Sequence, residues 1–148
     1  MPARTGAQPA CPRRLRLVFP ADPLAVRQAL HDLHEGLRDC PVSPQCRATM
    51  ELVLAEVLNN VVEHAYADRG GEIEICVQRS GGGLVCCVAD SGRPMPHGAL
   101  PPGDLPGTDA ADLPEGGFGW HLIRALSRDL DYRREGTRNL LRFHLPAM

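Results

Sequence analysis

The sequence contains no lysine, because all sixteen basic residues are arginine. This absence excludes the phosphate-binding lysine of a Walker P-loop, a Schiff-base lysine and the strand lysine of a protein kinase. Any nucleotide chemistry in this chain must therefore use backbone amides, arginine side chains or a bound metal ion.

Two further absences narrow the classes of partner. The net charge at pH 7 is only -2, so no strong basic excess points to nucleic acid. No apolar run reaches membrane-spanning length, because Glu, Asn and Arg interrupt the longest ones. Residues 1–12 lack the apolar core of a signal peptide and are predicted to be a disordered tail. We therefore expect a cytoplasmic protein with neither nucleic acid nor a membrane as a direct partner.

The cysteines show no metal-binding or redox spacing, since no C-x-x-C pair occurs. In a cytoplasmic chain we interpret them as reduced packing residues rather than disulfide or zinc sites. His31 and His34 are three residues apart on a predicted helix, but no third ligand is evident, so we assign them to a solvated face. The six cysteines are Cys11, Cys40, Cys46, Cys76, Cys86 and Cys87.

Hydrophobic periodicity and capping signals predict the element order β-α-α-β-β-loop-α-β-β. Two N-caps followed by proline, Asp22-Pro23 and Ser43-Pro44, begin helices that run to about 39 and about 67, and a third helix covers about 120–127. Alternating polar and apolar residues predict strands over 13–19, 72–79, 84–89, 129–134 and 139–145.

The grouping of these elements predicts the fold class. Helices and antiparallel strands occur in groups rather than in alternation, which favours an α+β fold over a doubly wound one. We predict a two-layer α/β sandwich with a mixed, mainly antiparallel sheet and the helices on one face. Residues 13–148 would form a single domain by length. Dense proline and glycine over about 91–115 predicts a lid-like loop there.

Glu56 and Asn60 lie four residues apart in the predicted second helix, which is otherwise largely Leu and Val. A four-residue step turns only about 40° around a helix, so Glu56, Asn60 and His64 share one polar stripe. Burying an unpaired carboxylate is costly, so the stripe indicates a use. A carboxylate one turn from a carboxamide suits proton abstraction or the holding of a hydrated divalent cation on phosphate. The alternative is a helix edge that faces solvent.

Three further motifs are each ambiguous when taken alone. Asp90 ends an apolar strand before Gly92, and fits either a turn former or an acceptor for an exocyclic amine such as that of adenine. The GGFG sequence at 116–119 opens a helix, where bare N–H groups bind phosphate, although glycines are as often a flexible joint. Gly136-Thr137 near a hairpin tip is most simply a turn with a β-forming residue.

In their order along the chain, these motifs resemble the GHKL superfamily, which has the Bergerat ATP-binding fold. Within it, the chain is similar to the small bacterial anti-sigma-factor serine kinases of RsbW type, over roughly residues 13–146. The family fold is a mixed sheet with helices on one face, in agreement with the predicted element order. The motifs are Glu56-x-x-x-Asn60 with HAY at 64–66, Asp90-x-Gly92, GGFG at 116–119 with HLI at 121–123, and Gly136-Thr137.

The resemblance implies a role for each matching residue. Asn60 would coordinate the Mg²⁺ that bridges the ATP phosphates, and Glu56 would be the general base that deprotonates the attacking hydroxyl. Asp90 would recognise the adenine amino group, with Gly92 making room for the base and Thr137 supporting Asp90. Gly117, Phe118 and Gly119 would form the phosphate-binding segment, under a lid of residues 93–115.

The same resemblance implies the partners and leaves one alternative open. Sensor histidine kinases carry Asn where Glu56 stands, so Glu56 points to a hydroxyl or water as the nucleophile. The expected partners are a sigma factor or similar output protein, a STAS-type antagonist phosphorylated on Ser or Thr, and a second copy of the chain. The alternative is a nucleotide-binding partner-switch module without kinase activity. It is motivated by Arg93-Pro94-Met95-Pro96, where relatives place another small residue. A plain α+β scaffold would bind no ATP.

Overall fold

The computed structural model describes residues 11–67, 69–101 and 117–147. Within them, five strands form one sheet in the order β1-β2-β3-β5-β4. Every neighbouring pair is antiparallel, so the sheet is not mixed as the sequence had suggested. The strands are β1 (Arg14–Pro20), β2 (Glu72–Ser80), β3 (Gly83–Asp90), β4 (Arg128–Glu135) and β5 (Arg138–Leu145).

Two of the three helices begin at the predicted caps. The Asp22 carboxylate accepts a hydrogen bond from the Ala25 N–H at 2.8 Å, and the Ser43 hydroxyl accepts one from the Cys46 N–H at 3.0 Å. These bonds satisfy N–H groups that have no partner inside the helix, and the proline that follows each cap needs none. The helices are α1 (Pro23–Gly36), α2 (Pro44–Asn60) and α3 (Gly117–Leu126).

The helices pack on one face of the sheet, which confirms the predicted α+β two-layer architecture. Alternate residues of β2 and of the other central strands point into this layer, and Ile73 and Phe143 are almost fully buried there. The helix side of the core contains Leu33 of α1 and Leu54 of α2. On the opposite face of the sheet, most of the strand residues between the core positions are half-buried or exposed, and Ala89 of β3 is a buried exception.

The second helix ends earlier than the predicted boundary near residue 67. Its α-helical part stops at Asn60, and Val61–Ala65 continue as a single π-helical turn. Such wide turns arise where one extra residue enters the helical ladder and are frequent at functional sites. Hydrophobic periodicity cannot locate this change, because both kinds of turn place apolar residues on roughly the same face.

One pair of cysteines is oxidised, which contradicts the prediction that all six are reduced. Cys11 and Cys40 form a disulfide, with their Cα atoms 4.8 Å apart. The bond joins the segment before β1 to the turn between α1 and α2. The two residues are 29 positions apart, so their proximity depends on chain packing that spacing alone does not reveal. The other four cysteines are free, as predicted.

Other predictions concern regions near or beyond the described residues. His34 contacts Glu51 of α2 at 3.0 Å, and both side chains are exposed, in agreement with a solvated face. A short 3₁₀ turn covers Pro96–Gly98, within the predicted lid. Most of that lid, Gly116 and most of the predicted tail lie outside the described residues. Over residues 11–67, 69–101 and 117–147, no helix is both long and apolar enough to cross a bilayer.

Candidate functional site

A cavity of about 540 Å³ opens beside α2. Its walls come from α2 and the π-helical turn, from the segment after β3, from the start of α3 and from the β4–β5 hairpin. Asn60 and Asp90, which lie far apart in the sequence, both line it. Trp120, the residue that follows the GGFG motif, lines the same cavity and is buried. The tertiary structure therefore brings three of the predicted motifs to one place.

Asp90 lies at the end of β3 and is buried in the wall of this cavity. Its Oδ1 atom accepts hydrogen bonds from the Gly92 N–H and from Asn139 Nδ2, both at 2.8 Å. Burial raises the pKa of Asp90, and these two hydrogen bonds together with Arg134 oppose that rise only in part. Both bonds end on one oxygen, so among the hydrogen bonds of the described residues the other carboxylate oxygen is left for a further donor.

Asn139 is the residue that orients Asp90, and the sequence motifs did not identify it. It is the register partner of Asp90 across β3 and β5, and it is itself buried. Its Nδ2 also donates to the Arg93 carbonyl at 2.8 Å. Its Oδ1 accepts from the Tyr132 hydroxyl at 2.6 Å and from Arg134 Nη1 at 3.0 Å. The Asn139 amide therefore uses both its N–H donors and both its acceptor sites.

Thr137 has no contact with Asp90 among the hydrogen bonds of the described residues, and its predicted support of the adenine site stays a prediction. It lies in the exposed turn between β4 and β5 and is not among the described residues that line the cavity. The side chain next to Asp90 belongs to Asn139, two positions further along β5. This placement follows from strand register: a residue at the hairpin tip lies beyond the end of β3, whereas Asn139 stands directly opposite Asp90.

The segment after Asp90 packs tightly against the π-helical turn. A Cβ atom on Gly92 would overlap the Ala65 carbonyl, so only glycine fits there. The same carbonyl accepts a hydrogen bond from the Arg93 N–H at 2.8 Å. Tyr66 supports this junction, because its hydroxyl accepts from the Ser91 N–H at 2.6 Å and donates to the Glu72 carbonyl at 2.8 Å. Gly92 thus allows the segment after Asp90 to pack against the π-helical turn, and the role predicted for it, making room for the base, stays a prediction.

Further along this segment, Tyr132 supports the rim of the cavity. Its hydroxyl accepts a hydrogen bond from the Met95 N–H at 2.9 Å while it donates to Asn139. Arg134 adds a bond of 2.7 Å to the Gly92 carbonyl. Pro94 and Met95 both line the cavity, so the residues that depart from the family pattern form part of its wall.

Asn60 stands where α2 gives way to the π-helical turn and lines the cavity from a different element than the Asp90 network. It is buried, and its Nδ2 atom has no hydrogen-bond partner among the described residues. An unpaired buried amide costs about 1–3 kcal/mol, which indicates a use for the group beyond folding. Its side-chain oxygen is the kind of hard ligand that Mg²⁺ prefers.

Glu56 lies one helical turn before Asn60, against the start of α3. A Cβ atom placed on Gly119 would lie 2.8 Å from Glu56 Oε2 and 3.8 Å from Asn60 Nδ2. Any larger residue at 119 would therefore displace the carboxylate. Glu56 is not among the described residues that line the large cavity; it faces a neighbouring groove with Pro23 and Val26 of α1. The carboxylate and the amide thus meet the same turn of α3 but open to different sides.

The first turn of α3 supplies the remaining predicted positions. Gly117, Phe118 and Gly119 are its first three residues, so their backbone N–H groups are among the four without partners inside the helix. Helix N-termini bind phosphate through such groups and through the helix dipole. The predicted roles of Gly117, Phe118 and Gly119 in phosphate binding stay predictions.

A metal ion at this site would be held mainly by water and by the phosphates of a bound nucleotide, with few protein side chains. Among the described residues, no cluster of three or more His, Cys, Asp or Glu side chains has the geometry of a metal site. Asn60 would supply one protein ligand, its amide oxygen. This fits Mg²⁺, which keeps several waters and is commonly held by one or two side chains plus substrate phosphates.

Comparison with known proteins finds a family model and a solved structure that are similar to this chain. The family model described as a histidine kinase-like ATPase domain matches residues 19–145. Among solved structures, the chain is similar to the crystal structure of the RsbU and RsbW domains of Rv1364c from Mycobacterium tuberculosis, with a TM-score of 0.61 and 19% sequence identity. The match covers 90% of this chain and 33% of that one, so the chain spans about a third of its length. A search of curated proteins found no match.

Proposed function

The chain belongs to the histidine kinase-like ATPase domain family, and from that premise we propose that it is an ATP-dependent anti-sigma regulator with protein serine/threonine kinase activity. It would bind Mg-ATP in the cavity beside α2 and transfer the γ-phosphate to a Ser or Thr of a STAS-type antagonist. In its other state it would bind a sigma factor or a similar output protein. We further propose a cytoplasmic homodimer.

One observation carries the kinase assignment. The Glu56 carboxylate and the Asn60 amide lie one helical turn apart and both lie close to Gly119 in the first turn of α3. Phosphoryl transfer depends on positioning and on charge neutralisation, and transfer to a hydroxyl gains further from a base within reach. Around a triphosphate at the α3 N-terminus, Asn60 would hold Mg²⁺ and Glu56 would take the hydroxyl proton.

The adenine base would occupy the Asp90 end of the cavity. An ionised carboxylate accepts hydrogen bonds only, so Asp90 Oδ2 would pair with an exocyclic amine and not with the carbonyl oxygen of guanine. Asn139 takes the supporting role that the sequence motif had assigned to Thr137. Trp120, Met95 and Pro94 supply apolar cavity wall, as most small-molecule sites do.

The two concavities on either side of α2 also support a route of approach for each substrate. Asn60 lines the large cavity, whereas Glu56 faces the groove beside α1. The nucleotide would therefore enter from one side of α2 and the acceptor hydroxyl from the other, with Gly119 between them.

A second candidate is a nucleotide-binding partner switch without kinase activity. It is favoured by the absence of Glu56 from the described cavity lining and by the position of Pro94 in the cavity wall. The decisive experiment incubates the protein with Mg-ATP and a STAS partner and then measures the intact mass of the partner. We expect the partner to gain one phosphoryl group. An unmodified partner, together with ATP binding measured by calorimetry, would establish the partner switch instead.

A further inference from the structure

One register row crosses all five strands on the face of the sheet opposite the helices. Two of its members, Cys76 of β2 and Cys87 of β3, stand directly opposite each other. Both thiols are free, half-buried, and line a shallow groove on this face. In sheet order the row consists of Arg16, Cys76, Cys87, Arg142 and Asp131.

The spacing of the two cysteines permits a covalent bond between them. Directly opposed residues in an antiparallel pair have Cα atoms about 4.5–5.5 Å apart. A disulfide needs a Cα separation of about 4.4–6.8 Å. Cys76 and Cys87 therefore meet the distance requirement without a change of strand register.

The remaining cysteines offer no competing pair. Cys11 and Cys40 are already joined. Cys46 and Cys86 are buried on the helix side of the sheet, and burial raises the pKa of the Cys86 thiol far above its ordinary value. A buried thiol in an apolar layer reacts slowly, so the half-buried row contains the accessible dithiol.

Each thiol has an arginine neighbour, and burial distinguishes the two. Arg14 Nε donates a hydrogen bond to Cys76 Sγ at 2.9 Å, and an adjacent arginine is a common feature of nucleophilic cysteines. Burial raises the pKa of Cys87, the neighbouring Cys76 sulfur acts in the same direction, and Arg142 opposes both. Cys76 is therefore suited to attack first and Cys87 to resolve the product.

We propose that Cys76 and Cys87 form a thiol–disulfide exchange site for low-molecular-weight disulfides. The Cys76 thiolate attacks one sulfur of the small disulfide, which forms a mixed disulfide and releases one small thiolate. Cys87 loses its proton and attacks the Cys76 sulfur, which expels the second small thiolate. The protein dithiol loses two electrons and two protons, and both pass to the small disulfide, which leaves as two thiols. The product is a cross-strand disulfide between β2 and β3.

The test uses the full chain and oxidised glutathione as the probe. After exposure, the remaining thiols are alkylated in denaturant and counted by intact mass. We expect the count to fall from the four free thiols to two, because two sulfurs enter the new bond. Tryptic digestion should then yield a linked pair made of the peptide ending at Arg79 and the peptide that follows it. Fragmentation of this pair should place the link at Cys76 and Cys87.

Two single variants serve as matched controls, since both positions are on the sheet face outside the core. Cys87→Ser should accumulate a mixed disulfide on Cys76, and Cys76→Ser should accumulate no cross-link. Arg14→Gln should slow the wild-type reaction several-fold, whereas Arg13→Gln, one residue earlier, should leave its rate unchanged. An unfolding-temperature measurement on each variant establishes that it is folded.

Three results would overturn the proposal. The first is a wild-type protein that keeps all four thiols at concentrations of oxidised glutathione that modify a free small thiol. The second is a stable glutathione adduct on wild type with no internal link. The third is a link that involves Cys46 or Cys86. The position of the disulfide link in the wild-type peptides tests the proposal even if a variant fails to fold.

Discussion

At the Asp90 end of the cavity, hydrogen bonds link Asp90, Asn139, Tyr132 and the following loop into one network. At the Asn60 end, the amide nitrogen is buried with no partner among the described residues. The two ends are formed by one chain and border the same cavity, yet their polar groups are satisfied to very different degrees. At one end most polar groups are paired within the protein, and at the other the described residues leave the Asn60 amide nitrogen without a partner.

This difference separates two kinds of residue in the site. Groups in the Asp90 network stabilise the fold and would recognise the base as a consequence of being held rigidly. Asn60 reduces stability as long as its amide is unpaired, so its benefit must come from binding. Substitutions at the two ends should therefore have opposite effects on the free energy of unfolding, and the predictions below test this contrast.

The largest effect should come from Glu56→Gln. Loss of the base should lower phosphoryl transfer to a STAS partner by about 10²-fold or more, the usual scale of general-base catalysis. ATP binding should persist, because glutamine fits beside Gly119 with the same shape. Transfer is measured by partner mass over time. Glu51→Gln is the matched control, because this substitution removes the same charge from an exposed position of α2. Equal rates for wild type and Glu56→Gln would remove the base assignment.

Asn60→Ala should weaken Mg-ATP binding by about 10- to 100-fold, which corresponds to the roughly 1.5–3 kcal/mol of a hydrogen bond or ligand contact to a charged group. In the absence of nucleotide, its free energy of unfolding should equal or exceed that of wild type, because a buried unpaired amide is removed. Calorimetry and urea unfolding measure the two quantities. Asn59→Ala, at the exposed neighbouring position, controls for helix propensity. A marked loss of stability in Asn60→Ala would contradict the contrast.

Asp90→Asn should reduce the preference for adenine. An amide can present either a donor or an acceptor to the base, so GTP should compete with ATP better than it does in wild type. Competition is measured by displacement of a labelled ATP analogue. If ATP and GTP compete equally well in both proteins, Asp90 does not select the base.

Tyr132→Phe should lower the free energy of unfolding by about 1–3 kcal/mol, because the Met95 N–H loses its partner and Asn139 Oδ1 keeps only its bond from Arg134. ATP binding should fall less than in Asn60→Ala, since the hydroxyl supports the rim rather than the phosphates. Urea unfolding of the nucleotide-free protein measures the stability change. Unchanged stability would show that the Asp90 end does not depend on its hydrogen bonds.

The smallest effect concerns pH. Burial raises the pKa of Asp90 above its ordinary value of 3.8, so between that value and the raised one the folded chain binds more protons than the unfolded chain. The Asp90 contribution to the free energy of unfolding should therefore fall as pH rises through this window and stay constant above it. Urea unfolding of wild type and Asp90→Asn over a pH series gives the difference curve. If the free energy of unfolding of wild type relative to Asp90→Asn instead grew with pH, the pKa of Asp90 in the folded chain would be lowered and not raised.

The fold was predictable because its signals are local. The caps at Asp22 and Ser43, the alternation along β2 and the glycine turns each depend on residues a few positions apart, and all appear as predicted. The all-antiparallel pairing was not predicted correctly, because strand order depends on which sheet edges meet. The Cys11–Cys40 disulfide was missed for a related reason, since it joins segments that become neighbours only when β1 and α1 pack together.

The candidate site was predictable to the extent that helical spacing defines it. Glu56 and Asn60 lie on one stripe of α2 in any straight helix, and Gly119 meets them where α3 begins. Asn139 and Tyr132 were missed because their roles arise from strand register. The available signal was weak, because Asn139 is a polar residue at the start of β5, just before its apolar residues, and has no evident role until β3 is placed beside it.

The amino-acid order alone established a helix with a carboxylate and an amide one turn apart, a strand that ends in aspartate and a helix that opens with glycines, because each is set by neighbouring residues. Only the folded chain decided that Asn139 holds Asp90 across 49 positions, that Glu56 and Asn60 open to different sides, and that Cys76 stands opposite Cys87. These contacts depend on strand register and side-chain packing, which bring together segments that are far apart in the sequence.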